Sequence, residues 1–261
     1  MRQSHDEYSV VIPSLGRWGY LKELLNSIMR QSILPKEVIV LLNDHEEYDK
    51  DQLVDFQNDL HHTGLYVRVV HCQKNLAEKR NFGVTLSTTS YIFFSDDDDI
   101  WAEDKAKCCL KELKKYSVVT HNFSKFGDRS KVQCSQLGHH DRTIKLSINL
   151  PGDNVYGGGS SIAARKSLLV EIPFKTSLAY CEDLDWWLSV LGTDRNIKYI
   201  GLDLVSYRSH RTNMTKQKLM IYYYTMLVIR HQAFRSITMF ILCLKIFTRC
   251  TAKMLYKLAY A

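Results

Sequence analysis

Residues 91–101 read YIFFSDDDDIW. Tyr91–Phe94 is a short apolar run without a polar break, the pattern of a strand buried on both faces. It runs directly into Ser95 and four consecutive aspartates, Asp96 to Asp99. In an open α/β sheet, ligands bind beyond the carboxyl ends of the strands. Carboxylates packed this closely repel one another unless a cation or a basic cluster offsets them. A hard divalent ion, Mn²⁺ or Mg²⁺, takes oxygen ligands and bridges to phosphate, so it is the natural counter-charge. A solvated acidic turn is the plainer alternative.

Upstream, strand-like and helix-like segments alternate. Tyr8–Ile12 is an apolar run ended by Pro13, and reads as a strand. Tyr20–Gln31 places Leu21, Leu24, Leu25 and Ile28 at helical spacing. Glu37–Leu42 and Leu65–His71 read as further strands, and Gln52–Leu60 as a helix between them. Asn75 opens a helix to about Leu86, with Glu78 three residues on in the capping-box position. Buried strands alternating with helices predict an α/β sheet covered on both sides.

Downstream of a helix at Glu103–Tyr116 the pattern loosens, and residues 117–150 mix short apolar runs with basic and polar residues. Then come the glycine-rich NVYGGGSS, a helix-like CEDLDWWLSVL, and two short strands near Lys198 and Val205. From Thr215 onward the sequence reads as helix. This places a boundary near Asn213, with a body at 1–213 and a basic amphipathic tail at 214–261.

The charge follows the same division. The chain of 261 residues carries a net +7, yet residues 205–261 hold ten Lys or Arg and no acid, leaving the remainder at −3. Lys245, Arg249, Lys253 and Lys257 form one helical stripe among apolar neighbours, and Tyr222, Tyr223 and Tyr224 precede it. Such a helix suits an anionic membrane surface, and packing on the body is the alternative. No nucleic-acid motif accompanies the charge. The 45% hydrophobic and 24% charged composition excludes disorder, and the lack of internal repeats argues against a solenoid. Seven cysteines without a CxxC pair fit free thiols in a reducing compartment. The first residues lack a signal-peptide core, and the longest uncharged apolar run, Ser236 to Leu244, is too short to span a bilayer. The expectation is a cytoplasmic protein, peripheral on the cytoplasmic face of the inner membrane.

Two enzyme classes place Asp-x-Asp at a strand end. In the haloacid-dehalogenase phosphotransferases a Thr or Val stands at the fifth position, where this chain has Ile100. The other class fits better. SVVIPSLGRWGYLKELLNSIMRQSILPKEVIVLLND resembles the opening of family 2 nucleotide-sugar glycosyltransferases of the GT-A fold. NLAEKRNFGVTLSTTSYIFFSDDDDIW resembles their second block, and GGGSSIAARKSLL, CEDLDWW and YRSHRTNMT their later ones, in order from about residue 8 to 216.

The resemblance implies a GT-A mixed sheet covered by helices, and roles for particular residues. Asp96 and Asp98 match the outer positions of the DXD motif, with Asp98 the direct metal ligand and Asp96 near the donor ribose. Asp97 fills the middle place and Asp99 the acidic position after it. Pro13, Ser14 and Leu15 match the turn lying against the nucleotide, and Arg80 a residue contacting the base or diphosphate. At the end of the second strand the register gives Leu42-Asn43, with Asp44 one place on, so Asn43 and Asp44 are the candidates for the base. Glu182-Asp183 matches the family's ED pair, Asp183 being the candidate general base. An acidic pair complementing a helix dipole is the structural alternative. Glu182, Trp186 and Trp187 are assigned to the acceptor, with one Trp in the core and one facing the sugar. Gly158 and Gly159 would let the backbone approach the donor closely. His210 matches a late histidine that reaches the metal or diphosphate.

The resulting expectation is an inverting, metal-dependent transfer from a nucleoside-diphosphate sugar, with UDP favoured, to a lipid-linked saccharide of a bacterial surface polysaccharide. A metal-dependent phosphotransferase, or a non-catalytic membrane-surface protein on a degenerate transferase body, are the alternatives.

Overall fold

The computed structural model describes residues 7–43, 65–127, 137–146, 158–178, 180–193 and 195–210, with isolated helical positions between 241 and 252. The expected helix at Gln52–Leu60, Asp44, the 213/214 boundary and nearly all of the basic tail lie outside these residues. Among the described residues, no helix is long and apolar enough to cross a membrane.

The elements in chain order are β1 (Tyr8–Pro13), α1 (Trp18–Met29), β2 (Glu37–Leu42), β3 (Val67–His71), α2 (Leu76–Leu86), β4 (Tyr91–Phe94), β5 (Ile100–Trp101) and α3 (Lys105–Leu113). They continue with β6 (Val118–Gly127), β7 (Arg142–Ile144), a 3₁₀ turn at Gly159–Ser161, β8 (Ala163–Arg165), α4 (Lys166–Glu171), α5 (Glu182–Leu191) and β9 (Ile197–Ser209). The described strands form one sheet in the order β3-β2-β1-β4-β8-β6-β9-β5, with β7 also pairing with β9. The pairs among β3, β2, β1 and β4 are parallel. β8 runs antiparallel to β4 and β6, whereas β6 and β9 are parallel.

Strand periodicity builds two cores from one sheet. Successive side chains of a strand point to opposite faces. Val10 and Ile12 of β1, with Val38 and Val40 of β2, pack on one side with Leu21, Leu24 and Ile28 of α1 and with Leu110 of α3. Val11, Ile39 and Leu41 point the other way, toward Ala77 and Val84 of α2 and toward Trp186 and Trp187 of α5. On that face α2 lies close against β1, because a Cβ on Gly83 would sit 2.3 Å from Val11 Cγ1.

The register brings the functional loops together. β1 pairs with β4 from Tyr8↔Tyr91 to Val11↔Phe94, so Ser14 and Asp96 leave the sheet side by side. Ser95 N–H donates to Val11 O at 3.1 Å, and Ser14 N–H to Leu41 O at 2.9 Å. At α2 the expected capping box is present: Glu78 N–H donates to Asn75 Oδ1, and Asn75 N–H to Glu78 Oε2.

The second half departs from the sequence reading. The loosened stretch after residue 117 contains β6, ten residues long, and the two expected short strands are one continuous strand, β9. Only the first five residues of β6 are buried; beyond them Phe, Ser and Lys alternate on a half-buried ribbon. That composition carries little hydrophobic signal.

Candidate active site

A cleft of about 560 Å³ opens along the carboxyl ends of the strands. Its lining includes Pro13, Ser14, Leu15, Asn43, Arg80, Asp96 to Asp99, Gly158, Glu182 and Asp183, so most of the expected site residues converge.

The four aspartates are held in different ways. Asp97 is buried and accepts from Ser14 Oγ at 2.6 Å and from Leu15 N–H at 2.9 Å, and it pairs with Arg17. Asp98 accepts from Arg17 Nη1 at 2.7 Å and lies 2.9 Å from His210 Nε2. Asp99, fully buried, accepts from Ser160 Oγ at 2.5 Å and from Arg208 N–H at 3.1 Å. Asp96 retains 27% side-chain exposure and bonds Arg80 Nη2 at 2.9 Å. Burial raises the pKa of Asp99 well above the ordinary carboxylate range, and Asp96 and Asp98 add repulsion. Asp96 is raised by burial too, with Arg80 opposing the shift. The two arginines are the internal counter-charge: Asp97 and Asp98 hold Arg17 charged, and Glu182 and Asp96 do the same for Arg80.

Arg80 is the centre of the second cluster. It is fully buried and joins Asp96 to Glu182. The Arg80 guanidinium lies 5.4 Å from the Phe174 ring centre, Phe174 stacks on Trp186 at 5.4 Å, and Trp186 meets Trp187 edge-on at 5.0 Å. Here the acceptor assignment of Trp186 and Trp187 needs correction. Both are fully buried, and Trp186 Nε1 donates to Ile172 O at 2.7 Å. At their positions on α5 they face the sheet, so they brace Phe174, which backs Arg80. Gly159 also differs from expectation: it is buried, and a Cβ there would fall 2.2 Å from Arg80 Nη2. Its bareness makes room for the arginine, while Gly158 lines the cleft.

Glu182 and Asp183 open α5 after Cys181, whose backbone is left-handed at φ +61°. This places three acids in the first turn, where the helix dipole favours them. Asp183 is half-buried on the cleft wall. Burial, then repulsion from Glu182, pushes its pKa up to about 7. Such a carboxylate can exchange a proton near neutral pH.

The oxygens of Asp96 and Asp98 match the chemistry of a hard divalent ion. Among the described residues, however, no three His, Cys, Asp or Glu side chains are arranged as a metal site. His210 bonds both Asp98 and Arg17, and Arg17 bonds Asp98, so these two side chains orient the Asp98 carboxylate at the cleft.

Sequence reasoning missed Arg17, Lys74, Lys79, Phe123, Lys125, Tyr180 and Tyr207, all of which line the cleft. Lys79, adjacent to Arg80, donates to Ser14 O at 2.6 Å and pins the first loop. Its place next to a motif residue was a usable signal. Tyr207 opens the YRSHRTNMT block and so carried a signal too, whereas Phe123 and Lys125 belong to no motif.

The family model described as "Glycosyl transferase family 2" matches residues 9–172. The chain belongs to this family. This family 2 chain is 22% identical over 219 residues to the Escherichia coli UDP-Glc:alpha-D-GlcNAc-diphosphoundecaprenol beta-1,3-glucosyltransferase WfgD, covering 82% of each chain. The amylovoran biosynthesis glycosyltransferase AmsB of Erwinia amylovora is 31% identical over 110 residues, 41% of this chain and 36% of AmsB. The solved structure of S. aureus TarS 1–349 in complex with UDP superposes with a TM-score of 0.72 at 17% identity, over 94% of this chain and 72% of that one. TarS 1–349 with UDP-GlcNAc gives 0.66 at 16% identity, over 87% and 67%. The fold is GT-A, and the protein is a glycosyltransferase using a nucleotide-sugar donor. The phosphotransferase and non-catalytic alternatives fall away.

Proposed function

We propose that the protein transfers a sugar from a uridine-diphosphate sugar to a hydroxyl of a lipid-linked saccharide, inverting the anomeric centre, in the assembly of a bacterial surface polysaccharide. The observation that carries this is one cleft holding strand-end carboxylates and, on the α5 wall, Asp183 with a pKa near 7. UDP in the TarS complex and the diphosphoundecaprenol acceptor in WfgD's name support the donor and acceptor classes.

In the proposed reaction Asp183 accepts the proton of the acceptor hydroxyl as its oxygen attacks the anomeric carbon. The bond from that carbon to the β-phosphate oxygen breaks, and the nucleoside diphosphate leaves with its electron pair. Attack opposite the leaving group inverts the centre. Pro13, Ser14, Leu15, Asn43 and Gly158 would cradle the nucleotide. Arg80 would hold Asp96 on the donor side and Glu182, assigned to the acceptor, on the other. Mn²⁺ or Mg²⁺ held by Asp96 and Asp98 would neutralise diphosphate charge, and His210 and Arg17 would fix the Asp98 carboxylate.

The basic segment after residue 213 is proposed to attach the enzyme to the cytoplasmic face of the inner membrane. Deleting residues 236–261 should reduce co-sedimentation with anionic vesicles. Unchanged binding would remove that role.

The catalytic test is Asp183→Asn. Transfer should fall on the order of a thousand-fold with donor affinity kept. Weakened donor binding at unchanged turnover would remove Asp183 from the role of base.

A further inference from the structure

β6 and β9 run parallel with Phe123 opposite Val205 and Lys125 opposite Tyr207. These four alternate residues share one sheet face, and all four line the cleft. The intervening residues point away: Ser124 and Ser206 bond each other at 3.2 Å, while Arg208 lies over Phe126 at 4.4 Å and bonds Glu23 at 2.6 Å. The cleft-facing set is therefore a separate surface, built by strand alternation. Phe123 and Tyr207 have ring centres 6.4 Å apart, and both are half-buried.

Lys125 is the unusual member. It lies in a cleft containing Asp96 to Asp99, Glu182 and Asp183, yet among the described residues no carboxylate pairs with it. Its ammonium instead stands 6.0 Å from the Tyr207 ring centre. Of the other cleft cations described above, Arg17 is committed to Asp97 and Asp98, Arg80 to Asp96 and Glu182, and Lys79 to Ser14 O, while Lys74 stands over the Phe82 ring at 5.2 Å, away from β6 and β9 in sequence. Sheet order adds direction. The nucleotide side is proposed at β1 and β2; β6 stands two strands beyond β4 on the opposite side, and β9 three, roughly 10–15 Å away at ordinary strand spacing. That span is the size of a bound sugar with a further group attached.

We propose that Phe123, Lys125 and Tyr207 form an acceptor subsite for a saccharide bearing a phosphate ester or diphosphate, the rings carrying the apolar face of the sugar and Lys125 binding the phosphate. This rests on the transferase reading above and names the acceptor chemistry within it. An acceptor phosphate in this cleft meets four aspartates, and Lys125, which unlike Arg17 and Arg80 bonds none of them among the described residues, supplies the cation for it. The two rings, tilted 59° to each other, offer apolar contact without hydrogen-bond readout and so tolerate different pyranoses, and discrimination falls to the cation.

The test uses the full chain and one monosaccharide in three forms: a neutral alkyl glycoside, its 1-phosphate and its alkyl diphosphate. Wild type should have a lower KM for the two phosphorylated forms, and whichever is lower identifies a free or lipid-borne phosphate as the source. Lys125→Ala should raise KM for those forms about 10- to 100-fold, leave the neutral glycoside unchanged, and keep the calorimetric affinity for the UDP-sugar. Lys125→Arg should restore most of the preference. Tyr207→Ala should raise KM for all three acceptors alike. If wild type transfers to none of them, the proposed function fails and this inference with it. If wild type transfers but Lys125→Ala keeps the phosphate preference, or loses donor affinity instead, the inference alone is overturned.

Discussion

Every residue of β1 and β2 is buried, whereas β6 is buried only over its first five residues and β9 is half-buried over its last four. The parallel strands β3, β2, β1 and β4 are a scaffold: they position the first loop and the aspartates, and helices cover both faces. The mixed part, β8, β6, β9, β7 and β5, has part of one face turned to the cleft. Stability resides mainly in the first region, and in our reading acceptor selection resides in the second. A chain divided this way can change its acceptor patch at little cost in stability.

The strongest challenge to that division is Arg80→Met, because Arg80 joins the scaffold to α5. It leaves the Asp96 and Glu182 carboxylates without their buried partner, which should cost about 3–5 kcal/mol in urea unfolding and abolish transfer. A smaller loss would mean that those acids find solvent or take up protons. Next is a matched pair. Ile39→Ala, on β2, should cost about 2–5 kcal/mol, and Phe123→Ala, on β6, less than about 1 kcal/mol. Equal losses would erase the division between the two regions.

A third measurement uses pH. Asp183 must be ionised to act as base, so transfer should fall about tenfold per unit below pH 7. Stability runs the other way. A carboxyl whose folded pKa lies above its unfolded value of 3.8 binds more protons when folded, so its contribution falls as pH rises from about 4 to 7. Asp183→Asn should therefore be inactive yet more stable than wild type at pH 8, by a few degrees in Tm. A lower Tm at that pH would mean that the charge is well accommodated.

The same two regions explain what the sequence made legible. Continuous apolar runs such as VVI and EVIVLL, and a capping box at Asn75 and Glu78, have few competing interpretations, and the described elements of the first half follow them. The aspartate run was legible because four acids after an aromatic strand demand a counter-charge. What supplies that charge was not: Arg17 sits 80 positions from Asp97, and only the fold brings them together. Trp186 and Trp187 misled because aromatics next to an acidic pair suit either a sugar or a core, and the helix phase decided for the core. Phe123 and Lys125 were hidden because half-buried alternation of aromatic, hydroxyl and charged residues resembles a loop, and Tyr207, though it opens the YRSHRTNMT block, carried no sign of which face it would take.

The final residues of β9 set a limit on how the chain may be cut or fused. Arg208 donates from Nε to Asp98 O at 2.9 Å, and His210 meets Asp98 and packs 5.3 Å from the Tyr20 ring centre. The polypeptide thus leaves its sheet by passing directly over the aspartate turn. A truncation placed at Tyr207, or a rigid fusion joined at His210, would strip or crowd the aspartate turn even though the nearest helix and core remain whole. A shortened version intended for crystallisation or soluble assay needs its end beyond His210, with a pliant spacer after it, if it is to report on the native site.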